Sequence, residues 1–265
     1  WISIVMDWFK ISLLAFIQGI TEFLPVSSSG HLVLFKHVVG LEFATGATLE
    51  IVLHAGTLIS ILIFYRKRIT VLLRGVIAGE RLSRRYMGLI VIGVLPAIVL
   101  GLFARHGLEG LYERPEWAAV FLLITGGYLL GTSGVKATTD TLRPVSAAWI
   151  GLAQMLALLP GISRSGSTIC TARLFGIEPK KAAEFSFLMS IPLLTGVVLY
   201  EGISWIRSEA VLSVDGWALG WGFFLSAAVG YGALTWLVSI LERGRFWYFG
   251  VYCLGLGVIS LLFLG

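Results

Sequence analysis

The chain has 265 residues, of which 57% are hydrophobic and only 13% charged, and its mean hydropathy is +0.90. Soluble domains carry about 25% charged residues, so an ordinary soluble domain is excluded and the chain reads as an integral membrane protein. The net charge of +5 is modest and gathers in one stretch, which argues against nucleic acid as a partner and points to membrane orientation.

In chain order, the first apolar run covers 8–24 and is interrupted by Pro25, Ser27, Ser28 and Ser29. The next, 32–39, is too short to cross a hydrocarbon core of ~30 Å, which takes about 20 helical residues. The two read as a re-entrant helix–turn–helix. Irregular backbone of that kind is tolerated at membrane depth only inside protein or beside a watery cavity. Longer runs at 48–65, 86–104 and 117–133 read as membrane spans. A second broken pair follows at 145–159 and 165–175, and spans at 181–203, 217–241 and 246–264 close the chain.

The expected fold is therefore an all-α polytopic membrane protein with a single membrane domain, 1–265. It divides into repeat unit one, about 1–140, and repeat unit two, about 141–265. Each unit is one re-entrant helix pair plus three transmembrane helices. A re-entrant pair returns to its own side and three spans change sides. The second unit then starts on the opposite face, which makes an inverted-topology repeat with its site near the midplane. The segment 66–85, read as a loop, holds Arg66, Lys67, Arg68, Arg74, Arg81, Arg84 and Arg85. By contrast, 105–116 has only Arg105 and Arg114, and 204–216 only Arg207. The positive-inside rule makes 66–85 cytoplasmic. Counting back, both termini lie outside, the first pair enters from outside, and the second enters from the cytoplasm.

Gly127-x-x-x-Gly131 and Gly216-x-x-x-Gly220 read as small-residue steps for close helix approach. Trp1, Trp8, Trp117, Trp149, Trp217, Trp221 and Trp247 fall near run ends, as an interfacial aromatic belt would. Cys170 and Cys253 lie in apolar sequence and read as buried small hydrophobes, not as a metal site or disulfide. No secretory signal with a small-residue cleavage site is read. The chain opens at Trp1 instead of Met, so a few native residues are expected to be missing or replaced.

Two stretches carry the chemistry. Residues 18–31, Gln-Gly-Ile-Thr-Glu-Phe-Leu-Pro-Val-Ser-Ser-Ser-Gly-His, set a carboxylate, Glu22, inside hydrophobic sequence. A charge there is costly and marks function by default, against the alternative of a polar stripe bonded to neighbouring helices. Gln18 is four residues earlier, on the same helical face. Ser27, Ser28 and Ser29 with Gly30 follow the proline. A helix cap needs one hydroxyl; three point to a ligand lying on the N–H groups and positive dipole end of a half-helix. His31 falls three residues after Ser28, within helical reach. Residues 154–168, Gln-Met-Leu-Ala-Leu-Leu-Pro-Gly-Ile-Ser-Arg-Ser-Gly-Ser-Thr, repeat the design with a cation. Arg164 sits between Ser163 and Ser165, before Gly166, Ser167 and Thr168. A guanidinium fork suits phosphate oxygens, and it can equally serve as counter-ion to Glu22. Brought together, the two stretches make a phosphate site.

Other polar residues carry less. Glu50 and His54 share a face of the first long span and are read as structural or as water access. Glu184 is read as a supporting residue of the site. Lys36, His37, Arg173, Lys180 and Lys181 are expected near headgroups, snorkelling outward. No Walker-type glycine loop and no Cys/His metal spacing is present in the sequence.

Gln18-x-x-x-Glu22, Pro25-Val-Ser-Ser-Ser-Gly-His31 and Pro160-Gly-Ile-Ser-Arg-Ser-Gly-Ser-Thr168 resemble the signatures of the bacterial undecaprenyl-diphosphate phosphatase family, which is linked to bacitracin resistance. The resemblance covers essentially the full length. It implies a multi-pass enzyme of the bacterial cytoplasmic membrane that removes the terminal phosphate of the C55 isoprenoid diphosphate, recycling the lipid carrier for cell-wall synthesis. It also implies a divalent cation, Mg²⁺ or Ca²⁺. The family's first acidic position admits Glu or Gln. This chain has Gln18, so the cation would rest on Glu22 and the substrate's own phosphates.

The implied reaction is phosphoryl transfer with Ser28, His31, Glu22 and Arg164 as the catalytic set. Gln18, Ser27, Ser29, Gly30, Ser163, Ser165, Gly166, Ser167 and Thr168 would surround the diphosphate. Ser28 is read as nucleophile with His31 as base. Attack by His31 itself stays open. Arg164 and the half-helix N-termini would neutralise charge developing on the phosphoryl oxygens. The partners are a polyprenyl diphosphate lipid and the bilayer, with a homodimer left open. The rival reading is a transporter or flippase of polyprenyl phosphate lipids, since broken helices around a midplane site also build secondary transporters. The Ser28/His31 pair argues against it, because binding alone needs no nucleophile.

Overall fold

The structure is a computed structural model that describes residues 2–39, 46–207 and 215–264. Within them the chain is all-helical, with eleven α-helices. The first half holds α1 (Ile2–Phe23), α2 (Ser28–Val39), α3 (Gly46–Phe64), α4 (Arg66–Ile77), α5 (Arg81–Tyr112) and α6 (Pro115–Gly131). The second holds α7 (Pro144–Leu156), α8 (Arg164–Leu174), α9 (Pro179–Arg207), α10 (Gly216–Glu242) and α11 (Trp247–Leu264).

Arg81–Phe103, Pro179–Ser204, Gly216–Glu242 and Trp247–Leu264 are each long and apolar enough to cross a membrane. The chain is thus a multi-spanning membrane protein. Thr48–Phe64 passes the same test only together with Arg66–Ile77, from which it is bent by 73°. The stretch expected as a span at 117–133 is α6, a shorter apolar helix whose 17 residues reach about 25 Å at helical rise and which is not among the helices long enough to cross.

The segment 66–85, expected as a loop, is helical for most of its length. α4 buries Leu72 on one face while Arg66, Lys67 and Arg74 stay exposed and Arg68 is half-buried. It stops at a glycine cap. Gly79 takes φ +80, its N–H reaches the Val76 carbonyl at 3.2 Å, and the Glu80 N–H reaches the Gly75 carbonyl at 2.8 Å. A left-handed residue after the last turn, with these two bonds, closes the helix end. α5 then runs to Tyr112, through most of the 105–116 stretch expected as a loop, and carries Pro96 inside it.

The small-residue steps are a correction. A Cβ at Gly127, Gly131, Gly216 or Gly220 would meet no described atom within 4 Å. Close approach occurs at neighbouring glycines. A Cβ on Gly151 of α7 would lie 2.5 Å from the Gly93 carbonyl of α5, and one on Gly126 of α6 only 2.8 Å from the Gly250 carbonyl of α11. Spacing alone names a helix stripe, not which helix faces it. The tryptophans fare differently. Trp117, Trp149, Trp217, Trp221 and Trp247 are exposed, while Trp8 packs against the core. Trp1, the Arg105 side chain and residues 208–214 lie outside what the structure describes.

The main core joins both halves through Phe23, Phe185, Phe187 and Phe246, and the Phe23 and Phe187 rings meet edge to face at 5.9 Å. A smaller cluster of Ile11, Leu14, Leu32, Leu49, Leu53 and Leu219 joins α1, α2, α3 and α10. Helix partners are exchanged between the halves: α1 packs on α10, α7 on α5, α6 on α11 and α3 on α9. Cys170 and Cys253 are free and buried.

Arg173 does not snorkel. It is buried, and its Nη2 donates to the carbonyls of Ser133 at 3.1 Å and Val135 at 3.3 Å, with the guanidinium over the Phe246 ring. Carbonyls left open beyond the end of α6 supply what water would otherwise supply. Lys36 and Lys180 hold Glu50 and Glu242 at 2.5 and 2.9 Å.

Candidate active site

Pro25 stops α1, since proline offers no N–H and disfavours a helical residue before it. Before α2 starts, Ser27 turns to φ +67, where among the described residues every other positive φ belongs to glycine. That conformation costs an L-residue roughly 1–2 kcal/mol, and four hydrogen bonds hold it. The Ser27 Oγ accepts from the N–H groups of Gly30 and Gly161, both at 3.2 Å. The Ser27 carbonyl accepts from the His31 N–H at 3.2 Å and from His31 Nδ1 at 2.7 Å.

The second loop is built likewise. Gly161 takes φ +102, and Ser163 caps α8 by accepting from the Gly166 N–H at 3.1 Å. Thr125 of α6 braces it, donating to the Gly161 carbonyl at 2.8 Å and accepting from the Ser163 N–H at 3.1 Å. The loops are also bonded to each other. Ser27 holds the Gly161 N–H, and Ser165 donates to the Leu24 carbonyl at 3.2 Å. The N-terminal ends of α2 and α8 therefore meet, with Glu22 between them.

Glu22 is the hub. Its side chain is 6% exposed. Oε1 accepts from Arg164 Nη2 at 2.6 Å, and Oε2 accepts from Ser28 Oγ at 2.9 Å and from Gln18 Nε2 at 3.0 Å. Each bond stabilises a buried carboxylate that would otherwise be costly. Arg164 Nη1 and Gln18 Oε1 are buried with no hydrogen-bond partner among the described residues, so the cluster is incomplete on two sides.

The remaining residues of the two motifs mostly serve the loops. Ser29 meets Ser27 at 3.3 Å, and Ser163 meets Ser165 at 3.3 Å. Thr168 bonds the Arg164 carbonyl at 2.8 Å and Ser186 of α9 at 2.6 Å. Ser167 is buried in the first turns of α8. What the second motif presents to Glu22 is Arg164. The expected Ser28–His31 pair is replaced by Ser28–Glu22. His31 reaches back to the carbonyl that the left-handed turn exposes, and its Nε2 meets the Tyr252 hydroxyl of α11 at 2.8 Å with the rings stacked at 5.7 Å.

Sequence reasoning passed over Thr125 and Tyr252, and read His54 as structural or as water access without placing it beside Glu22. His54 is the largest revision. Its Nε2 lies 3.9 Å from Glu22 Oε2, and its side chain is 25% exposed. Its spacing from Glu50 was a signal, but a lone tyrosine or threonine in an apolar helix gives none. Glu184 does not support this cluster: Arg68 Nε binds it at 2.8 Å, beside a separate pocket of about 360 Å³.

Residues 11–259 match the family model described as "Bacitracin resistance protein BacA". Curated relatives match over 97% of the chain. A protein of Bacteroides fragilis strain YCH46, named undecaprenyl-diphosphatase, is 37% identical over 267 residues, covering 97% of this chain and 98% of its own. One of the same name from Rhodopirellula baltica is 39% identical over 268 residues, with the same coverage. A third, from Salinibacter ruber, is 36% identical over 269 residues and is covered to 99%.

Proposed function

The chain belongs to the bacitracin resistance protein family, and from that premise we propose that it hydrolyses undecaprenyl diphosphate to undecaprenyl phosphate and phosphate, recycling the lipid carrier for cell-wall synthesis. One observation carries the reading at the level of chemistry. A single buried carboxylate holds a serine hydroxyl on one oxygen and a guanidinium on the other. A transporter of the same lipids needs the guanidinium but has no use for the activated hydroxyl.

Ser28 Oγ attacks the terminal phosphorus, and its proton passes to Glu22. The bond from phosphorus to the bridging oxygen breaks, and its electron pair leaves with the lipid phosphate. Glu22 passes the proton it took from Ser28 to the departing lipid phosphate. Water then attacks the phosphoserine and gives a proton to Glu22, which returns it to Ser28 Oγ as the phosphorus–serine bond breaks. His31 is poorly placed to be the nucleophile, because both ring nitrogens are already bonded. Arg164 binds the transferring phosphoryl group through its unpartnered Nη1 and, as it turns to substrate, loosens its hold on Glu22. That loosening makes Glu22 a better base when Ser28 needs one. The α2 and α8 N-termini add N–H groups and positive dipole ends.

A divalent cation fits this donor set. Gln18 Oε1 is a buried oxygen without a partner, next to the Glu22 carboxylate. Glu22 and Gln18 would hold Mg²⁺ or Ca²⁺ with the substrate's phosphates, as such ions are held by few carboxylates plus phosphate oxygens. Bound there, the ion would shield the diphosphate charge.

Purified protein in detergent should release inorganic phosphate from undecaprenyl diphosphate, and a phosphate assay decides it. Binding without release returns the transporter reading.

The repeat and its orientation belong to the same proposal. The exchange of helix partners, α1 with α10 against α7 with α5, supports two inverted units, about 1–140 and 141–265. Both termini are outside, the 66–85 segment is cytoplasmic, and the site opens outward near the midplane. A cysteine engineered at Arg74 should resist a membrane-impermeant maleimide on intact cells and react after permeabilisation. Labelling of intact cells reverses the topology.

A further inference from the structure

We infer that His54 is a third ligand of the divalent cation and that it turns the site towards metals that accept nitrogen. The inference rests on the cation reading above and adds to it a residue outside both sequence motifs.

Three observations carry it. The first is orientation. His54 Nδ1 lies 2.8 Å from the Glu50 carbonyl. A carbonyl only accepts, so Nδ1 carries a proton, and the neutral form of the ring presents a bare Nε2. A metal-bound histidine almost always anchors its other nitrogen in this way, on a backbone carbonyl or a carboxylate.

The second is what Nε2 faces. It lies 3.9 Å from Glu22 Oε2. That is too far for a hydrogen bond, and in the neutral ring both atoms are acceptors. A lone pair on a pinned imidazole and a carboxylate oxygen that face each other across this gap are satisfied together by something positive between them. Metal–nitrogen and metal–oxygen bonds of about 2.0–2.2 Å place one ion within reach of both.

The third is the orphaned oxygen. Gln18 donates its amide nitrogen to Glu22 and leaves Oε1 buried and unpartnered. Turning the amide over exchanges the two atoms, brings an oxygen ligand to the cation and frees a lone pair on Glu22 Oε2. Among the described residues no three His, Cys, Asp or Glu side chains gather. The set is therefore one carboxylate, one imidazole and one amide oxygen, completed by the diphosphate.

The chemistry of the set has a consequence. Mg²⁺ and Ca²⁺ prefer all-oxygen surroundings, whereas an imidazole favours later first-row ions over them. Mn²⁺, which accepts both oxygen and nitrogen, suits the mixture better than Ca²⁺.

The test uses the whole protein in detergent, with Mn²⁺ alone and no lipid. Loss of the free Mn²⁺ resonance on titration should show one saturable site per chain. Pulsed electron paramagnetic resonance on that sample should show a directly bound imidazole nitrogen. His54→Ala should remove the nitrogen signal, weaken Mn²⁺ at least about 10-fold and leave Ca²⁺ competition nearly unchanged. Glu22→Gln should weaken both ions. A saturable site without a nitrogen signal in the unaltered protein overturns the inference, even if His54→Ala fails to fold. So does a signal that survives His54→Ala, and so does no saturable binding at all. None of these results touches the phosphatase reading, which stands or falls on phosphate release.

Discussion

Ser28→Ala should abolish phosphate release, with a loss of about 10⁴-fold or more, the scale seen when a nucleophile is removed from an intact site. The Ser28 hydroxyl is the one group in the cluster that can both attack and give up a proton to Glu22, 2.9 Å away. Glu22→Gln should be nearly as severe, and the double variant little worse than either, because nucleophile and base act as a unit. His31→Ala is the informative contrast. His31 touches Ser27 and Tyr252, not Ser28, so its loss should slow turnover by loosening the turn that aims Ser28. The measurement is steady-state phosphate release with each variant folded and monodisperse. If Ser28→Ala keeps most activity while His31→Ala loses it, the serine assignment is wrong and the phosphohistidine route gains.

Arg164→Ala should lower kcat/KM by about 10²–10³-fold, comparable to losing one transition-state donor. Arg164→Lys should recover only part of this, since an ammonium keeps the charge but loses the fork. A second effect must be separated from the first. Glu22 is buried and Arg164 is its ion-pair partner at 2.6 Å. Removing one member of a buried pair strands the other, typically at a cost of about 3–5 kcal/mol. Arg164→Ala should therefore also lower the thermal midpoint, and Arg164→Met with Glu22→Gln should regain much of it while remaining inactive. If Arg164→Ala is destabilised but turns over normally once folded, the arginine is only a counter-ion.

Much of this was legible in the sequence because membrane burial writes plainly. A carboxylate such as Glu22 has no bland place in an apolar helix, and Pro25 and Pro160 mark where helices must break. Which side chain meets which was far less legible. Ser28 and His31 are three apart on a helix, and that spacing invites pairing. The left-handed turn at Ser27 redirects His31 to a carbonyl instead, and no local pattern announces a positive φ at serine. His54 was visible as a histidine but not as a neighbour of Glu22, since that contact depends on how α3 docks against α1. Arg68 and its fellow cations were read as a loop because charge density outweighs helical pattern in a short basic stretch. Leu72 and the glycine cap at Gly79 decide it the other way.

The reciprocal bonds between the two loops bear on how the molecule comes into being. Ser27 leans on the Gly161 N–H, and Ser165 leans on the Leu24 carbonyl. Each half supplies one of the bonds that hold the other's turn. A nascent chain that has delivered only its first six helices to the bilayer carries Glu22 without Arg164 and Ser27 without its second donor, so it has a strained turn and a lone buried acid but no enzyme. The two turns can close on each other only once the second half has inserted. The same dependence would hold if the halves were translated as separate polypeptides, since each supplies the part that the other lacks.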